Sequence, residues 1–334
     1  MAQASKTKLV FIGYREQWEL DRMKSKASSD VEVIGVPQGA TQEAVQAAAQ
    51  QATVLIGWGR AMPVTPEWAA KAKHLRLVQA LSAGVDYLPV RDLAEMGIKV
   101  ANNRGANAVA VAETAVVLMV AAHRKLAKQF RQLEHGQYAQ GFFETWEQYH
   151  ELTGKRVGIV GLGQIGSRVA KRLAGWECEV VYYDIVKVPP EKERECNVKR
   201  LPLDDLIRTS DVITLHVPLT VQTRGMISDR EFGMMKPGAV LVNTCRGPVV
   251  DEAALIRALR AKKIAGAGLD VTEVEPIAAD NPLLKMDNVF LLPHLAGLSI
   301  EAREKALDFA AYNAGRVAAC QEPEGVVPPG FSAR

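Results

Sequence analysis

The chain has 334 residues, with 41 Lys+Arg against 38 Asp+Glu and a formal net charge of +3. That near-balance, without a long single-sign run, argues against a dedicated nucleic-acid binder, which would carry a basic stripe. At 48% hydrophobic and 24% charged the composition is globular, and at about 100–200 residues per domain the length suits two domains.

Short apolar runs alternate with helical patterns from the start. Segments 8–12, 31–36, 53–56, 77–80 and 98–100 read as strands, and 16–23, 41–50, 65–72 and 88–96 as helices. Such alternation predicts an α/β fold in which helices cover both faces of a parallel sheet. One long Ala/Val-rich helix follows, from Asn107 to about Gln132, apolar over most of its circumference and therefore buried in a core or a subunit interface. A second series begins at Lys155, with strands at 156–160, 179–184, 211–216, 239–243, 264–270 and 289–292. Six strands is the count of a complete doubly wound nucleotide-binding sheet. Within this series the charge-mixed stretch 187–200 reads as a solvated surface segment. The last helix, 300–319, leads into a Pro/Gly-rich tail at 322–330 that is expected to be extended or mobile.

Leu9–Ile12 is too short for a secretory leader. The most apolar stretch, 108–122, contains Glu113 and Thr114 and falls short of the roughly 20 residues of a bilayer span. Neither a membrane nor a nucleic-acid partner is expected. The four cysteines, Cys178, Cys196, Cys245 and Cys320, show no paired spacing, which fits a reduced cytoplasmic location with no metal.

The sharpest motif is Gly161-Leu-Gly163-Gln-Ile-Gly166, directly after the strand at 156–160 and opening a helical pattern. In that context the glycines allow a tight turn, close backbone approach to a pyrophosphate, and helix-on-strand packing. The helix N-terminus adds donors and a positive dipole end. Asp184 closes the next strand, where a carboxylate accepts from ribose hydroxyls and repels a 2′-phosphate. NAD is therefore expected over NADP. In such sheets ligands bind beyond the carboxyl ends of the strands. Arg246, Asp270, Glu275 and His294 all follow strand ends there: a cation, two carboxylates and an imidazole. His216 also ends a strand and is read as lining the cofactor cleft.

With these residues in view the chain resembles the D-isomer-specific 2-hydroxyacid dehydrogenase family. The matching segments are Leu81-Ser-Ala-Gly-Val-Asp86, Asn103-Arg-Gly-Ala-Asn-Ala-Val-Ala-Val-Ala-Glu113 and 151–166 through the glycine motif. They continue with His216-Val-Pro-Leu-Thr-Val-Gln-Thr-Arg-Gly-Met-Ile227, 236–247 ending in Cys245-Arg246-Gly247, Gly268-Leu-Asp-Val-Thr-Glu-Val-Glu-Pro276 and Leu292-Pro-His-Leu-Ala-Gly297. The match runs from about Thr53 to Asn313.

The resemblance implies two doubly wound, Rossmann-like parallel-sheet domains with a cleft between them. The substrate domain would be discontinuous, 1–104 with 298–334, and 105–297 would bind NAD. It further implies a homodimer formed through the nucleotide domains. Implied catalytic residues are Arg246, Glu275 and His294. Implied cofactor contacts are Gly161, Gly163, Gln164, Ile165, Gly166, Asp184, His216, Pro218, Thr223, Cys245, Asp270 and Gly297. A small 2-oxo or 2-hydroxy acid would be held by Ser82, Ala83, Gly84, Val85 and Arg246.

Three departures bear on the substrate. Cys245 stands where the family usually has a small residue such as Ala, and Thr272 where an aromatic is common. In Ile56-Gly-Trp-Gly-Arg60 the arginine of phosphoglycerate-type members is displaced, which weighs against a phosphorylated substrate, and Trp58 can narrow the pocket instead. The presence of Glu275 disfavours the formate-oxidising branch. The alternatives are a phosphoglycerate-type dehydrogenase and a dinucleotide-sensing corepressor-like binding protein.

Overall fold

A computed structural model describes residues 6–138 and 146–331. The chain forms two compact units, one that ends at Asn107 and resumes at Leu298, the other Ala108–Gly297.

In the first unit β1 (Thr7–Tyr14), α1 (Gln17–Lys26), β2 (Val31–Pro37), α2 (Gln42–Gln50), β3 (Val54–Gly57), α3 (Pro66–Ala69), β4 (Leu77–Ala80), α4 (Val90–Glu95) and β5 (Lys99–Ala101) alternate. The strands pair in parallel in the order β2-β1-β3-β4-β5, one of the common doubly wound arrangements. Side chains alternate across the sheet with period two. Val10, Leu55 and Val78 enter one core with Trp68 and Leu93, while Leu9, Phe11, Val54, Ile56 and Leu77 enter the other. Both faces are dry.

The second unit holds α5 (Ala108–His123), α6 (Leu126–Glu134), β6 (Arg156–Val160), α7 (Gln164–Leu173), β7 (Glu179–Tyr183), α8 (Pro190–Cys196) and β8 (Lys199–Arg200). It continues with α9 (Leu203–Thr209), β9 (Val212–Leu215), α10 (Asp229–Met234), β10 (Val240–Asn243), α11 (Glu252–Arg260), β11 (Gly266–Leu269) and β12 (Val289–Leu291). Its seven strands are ordered β12-β11-β10-β9-β6-β7-β8, all parallel. The chain works outward from β6 to β8, then crosses back to β9, so the topological switch point lies between β6 and β9. α5 packs closely on this sheet at Gly268, where a Cβ would stand 2.8 Å from the Leu118 carbonyl oxygen. The final helix, α12 (Ile300–Ala318), belongs to the first unit, where Ala306, Leu307, Ala310, Ala311 and Ala314 fill one of its cores.

Two expectations are corrected and a third is sharpened. The long helix 107–132 is two helices, because Lys125 takes a left-handed conformation (φ 50°) and its ammonium donates to the Ala265 carbonyl. α5 is largely buried, whereas α6 has no buried residue. The stretch 187–200 is not merely a solvated surface segment. Tyr182 donates to Glu193 at 2.6 Å, Cys196 at the end of α8 is buried, and β8 adds a seventh strand to the six expected. The tail is extended, but it is pinned. Val326 forms an antiparallel bridge with Ala101, and the Val327 N–H donates to Val100 at 2.8 Å. No helix among the described residues is long and apolar enough to cross a membrane.

Asn313 of α12 ties the tail to the sheet. Fully buried, it donates to Gln79 Oε1 at 2.7 Å and to the Glu324 carbonyl at 2.9 Å, and it accepts the Glu324 N–H at 2.9 Å. Asn313→Ala strands several buried polar groups at once, so it should lower unfolding free energy by about 2–4 kcal/mol. Urea denaturation measures the loss, and limited proteolysis should cut the tail faster. A change under about 0.5 kcal/mol would show that this network contributes little.

Candidate active site

The glycine turn is built by close approach. Gly161 has φ +95°, and a Cβ on it would stand 2.6 Å from the His216 carbonyl oxygen. A Cβ on Gly166 would stand 2.0 Å from the Gly161 carbonyl oxygen, so helix and strand meet only if this position is bare. At Gly163 a Cβ meets no protein atom within 4 Å. The middle glycine thus borders open space at the start of α7, whose first N–H groups, from Gln164 to Gly166, have no carbonyl partner inside the helix. Gln164 is exposed and accepts from Arg168 at 2.8 Å, while Ile165 packs against the unit's core. Lys171 and Arg172 sit in the helix's last turn, where cations complement its dipole. A dinucleotide pyrophosphate fits this cradle.

Asp184 follows β7 and braces the turn. Its Oδ2 accepts the Leu162 N–H at 2.8 Å and its Oδ1 the Val186 N–H at 3.0 Å. Arg200 donates to the Asp184 main-chain carbonyl at 2.9 Å. After β9, His216 Nε2 and Thr214 Oγ1 are 2.9 Å apart, and burial drives the imidazole pKa down to about 3, so the ring is neutral. Thr223 donates to the Pro218 carbonyl at 2.5 Å and accepts the Thr220 N–H at 2.8 Å, closing the 218–223 turn.

The ends of β10, β11 and β12 carry the polar group. Asn243 ends β10 with an Asx turn: its Oδ1 accepts the Cys245 N–H at 3.0 Å, and its Nδ2 donates to the Arg246 carbonyl at 3.0 Å. Burial pushes the Cys245 thiol up to about 11, making it an inert filler. Arg246 is half-buried, with Nη1 donating to the Cys245 carbonyl at 2.8 Å. Gly247 has no room for a side chain, since a Cβ would stand 1.8 Å from the Thr272 carbonyl oxygen. That contact presses the loop after β10 onto the loop after β11.

Glu275, on that second loop, accepts the Thr272 N–H at 3.2 Å through Oε1. Its Oε2 lies 2.7 Å from His294 Nδ1. Burial alone would raise the Glu275 carboxyl, but the His294 hydrogen bond and charge, the Thr272 N–H and the Arg246 charge together hold it below the ordinary range. His294 itself is exposed and takes φ +59°, a conformation that costs a side-chain-bearing residue about 1–2 kcal/mol. Asp270, 2% exposed at the end of β11, accepts the Leu295 N–H at 2.8 Å and the Ala296 N–H at 3.0 Å. Gly297 closes the unit behind them.

Ser82–Val85 lie in the first unit, after β4. Asn103 donates to the carbonyls of Leu81 (3.3 Å) and, through its main chain, Ser82 (3.0 Å). Asn102 Nδ2 donates to Ala83 at 3.1 Å, Ser82 Oγ to Gly84 at 2.9 Å, and the Leu88 N–H to Val85 at 2.9 Å. Every carbonyl of the segment is engaged from its own unit. Sequence reasoning gave no role to Asn102, Asn103, Asn243 or Gly247. The available signal was an Asn or Gly beside each strand end, where Asx turns and close approaches occur.

Residues 116–296 match the family model described as D-isomer specific 2-hydroxyacid dehydrogenase, NAD binding domain. The chain is 38% identical over 277 residues to the glyoxylate reductase of Korarchaeum cryptofilum, covering 80% of this chain and 83% of that protein. It is 42% identical over 240 residues to the D-3-phosphoglycerate dehydrogenase of Archaeoglobus fulgidus, covering 72% of this chain but 45% of that longer protein. Among solved structures it resembles the D-mandelate dehydrogenase of Rhodotorula graminis, with a TM-score of 0.86 at 28% identity, covering 97% and 98% of the two chains. The chain belongs to the D-isomer specific 2-hydroxyacid dehydrogenase family, and it is accordingly an NAD-dependent oxidoreductase acting on the CH–OH group of 2-hydroxy acids.

Proposed function

We propose that the chain interconverts a small 2-oxo acid and its 2-hydroxy acid, with glyoxylate and hydroxypyruvate as the leading substrates. The observation that carries this reading is the 2.7 Å contact between His294 Nδ1 and Glu275 Oε2. It commits one ring nitrogen to a carboxylate and leaves Nε2 for the substrate. Bound NADH supplies the hydride to C2. His294 gives the C2 oxygen its proton through Nε2, and takes the proton back in the reverse direction. Glu275, held ionised, orients the ring and stabilises it when charged.

Arg246 grips the substrate carboxylate with its planar fork, whose plane the Cys245 carbonyl steadies. The segment Ser82–Val85 supplies further donors. Its carbonyls accept from Asn103, Asn102, Ser82 and Leu88, so an anion there would be met by its main-chain N–H groups. In this reading the first unit is the substrate domain and the second the NAD domain, with pyrophosphate at Gly163–Gly166, ribose at Asp184, and His216, Pro218, Thr223, Cys245 and Gly297 lining the groove. The name of the Korarchaeum relative supports glyoxylate. A phosphorylated 2-oxo acid is the second reading, favoured by the 42% identity to the phosphoglycerate enzyme. A cytoplasmic location fits the four free cysteines, and a homodimer fits α6, which exposes Phe130 and Leu133.

The test is NADH oxidation against a panel of glyoxylate, hydroxypyruvate, phosphohydroxypyruvate, phenylglyoxylate and branched 2-oxo acids. Highest kcat/KM on glyoxylate or hydroxypyruvate supports the proposal. Best turnover of phosphohydroxypyruvate selects the second reading, and NADH binding without turnover of any panel member selects a dinucleotide sensor. His294→Ala should lower kcat by roughly 10² to 10⁴ with NADH affinity nearly unchanged. Arg246→Lys should be severe in KM and kcat despite its retained charge, because a single ammonium cannot form a bidentate clamp. Near-normal kinetics in either variant removes that residue from the mechanism.

Glu275 also makes a pH prediction. A carboxyl held lower in the folded state stabilises the fold fully above its unfolded pKa, and the benefit disappears as pH falls through the folded value. Glu275→Gln should therefore lower Tm near neutrality, with the gap closing below about pH 4. A gap that persists unchanged into acid would assign the effect to packing instead.

A further inference from the structure

We propose that Lys192 is a cofactor-binding residue whose ammonium adds a positive charge to the glycine turn, beside the pyrophosphate of the dinucleotide. The proposal rests on the reading of Gly163–Gly166 as the pyrophosphate site. Lys192 stands in the first turn of α8, yet its Nζ donates at 3.1 Å to the carbonyl of Leu162, 30 residues earlier in the chain. Both main-chain polar groups of Leu162 are thereby held. Asp184 accepts its N–H at 2.8 Å, and Lys192 caps its carbonyl. The next residue is Gly163, where a Cβ would meet no protein atom within 4 Å, so the ammonium is bonded one residue from the open space at the start of α7.

Helix stability does not ask for a cation here. A positive charge in a helix's first turn opposes the macrodipole, and the other charged residues of that turn, Glu191 and Glu193, follow the rule. The acids of α8 are engaged elsewhere. Glu193 accepts from Tyr182 at 2.6 Å, Glu191 from Arg194 at 3.3 Å, and Glu195 from Lys171. Lys192 itself makes no ion pair among the described residues. Its side chain is half-buried, so water and salt screen its charge less than that of the exposed Lys187. A charge that the fold leaves unpaired beside an anion site is available to the anion. Capping the Leu162 carbonyl also removes negative potential from the neighbourhood of a phosphate.

Binding to the full chain is measured by calorimetry with NADH, ADP and adenosine, without turnover. Lys192→Met keeps most of the stem and removes the charge. It should weaken NADH and ADP about 3- to 10-fold, the effect of one partly screened charge near a phosphate, and leave adenosine within about twofold. The salt dependence of the ADP Kd should flatten in the same variant. Lys192→Arg should restore ADP affinity, whereas Lys192→Gln, which offers the Leu162 carbonyl a donor without charge, should not. Tm should not fall in Lys192→Met, since a cation leaves the first turn of α8. Unchanged ADP affinity in Lys192→Met would overturn the proposal. So would rescue by Gln, or adenosine weakened as much as ADP, because either shows a side chain that only braces the turn. Gly163→Ala tests the pyrophosphate reading separately, placing a methyl group where no protein atom stands. Unchanged ADP affinity in that variant would sink that reading, while Lys192→Met still decides whether this ammonium binds phosphate.

Discussion

A parallel sheet brings all its strand ends to one edge, and the chemistry of this protein depends on that constraint. Every strand pair in the second unit is parallel, so the loops after β6, β7, β9, β10, β11 and β12 share the carboxyl edge. The glycine turn, Asp184, His216, Arg246, Asp270, Glu275 and His294 all lie in those loops. They are gathered from over a hundred residues of chain without any strand interior carrying a functional group. The interiors instead supply Val, Ile and Leu, as a sheet covered on both faces requires.

Bare backbone then sets the fine spacing along that edge. Gly247 against Thr272 lets the arginine loop lie on the glutamate loop, and Gly268 lets α5 press onto β11. The resulting charges are ordered as cation, carboxylate and imidazole. Glu275 feels both Arg246 and His294, which together with the Thr272 N–H hold its carboxyl below the ordinary range although burial alone would raise it. Nδ1 of His294 lies 2.7 Å from Oε2 of Glu275, which on the proposed reading leaves Nε2 for the substrate.

The strands and the glycine motif were legible because apolar periodicity and a strand–turn–helix context are local properties. What escaped the sequence was decided by tertiary contacts. Lys125 breaks an Ala-rich helical pattern because its ammonium reaches the carbonyl of Ala265, 140 residues away. β8 has only two residues and is defined by pairing with Val181 and Tyr182. The tail reads as loose until Asn313 and Gln79 are seen beneath it. In the site, residue types were readable but their partners were not. A carboxylate at a strand end looks the same in sequence whether it faces a ligand, as Asp270 was expected to, or the backbone of the next loop.

Asp184 shows how far that ambiguity extends. Its expected task is to meet ribose hydroxyls and repel a 2′-phosphate, yet in the structure it also accepts the Leu162 N–H inside the glycine turn and the Val186 N–H just beyond. Those bonds hold the carboxylate at the turn. Arg200 is tied to the Asp184 main-chain carbonyl. On the proposed reading, selection of NAD and the shape of the glycine turn rest on one side chain. On that reading, a substitution of Asp184 that relaxes the first also loosens the second.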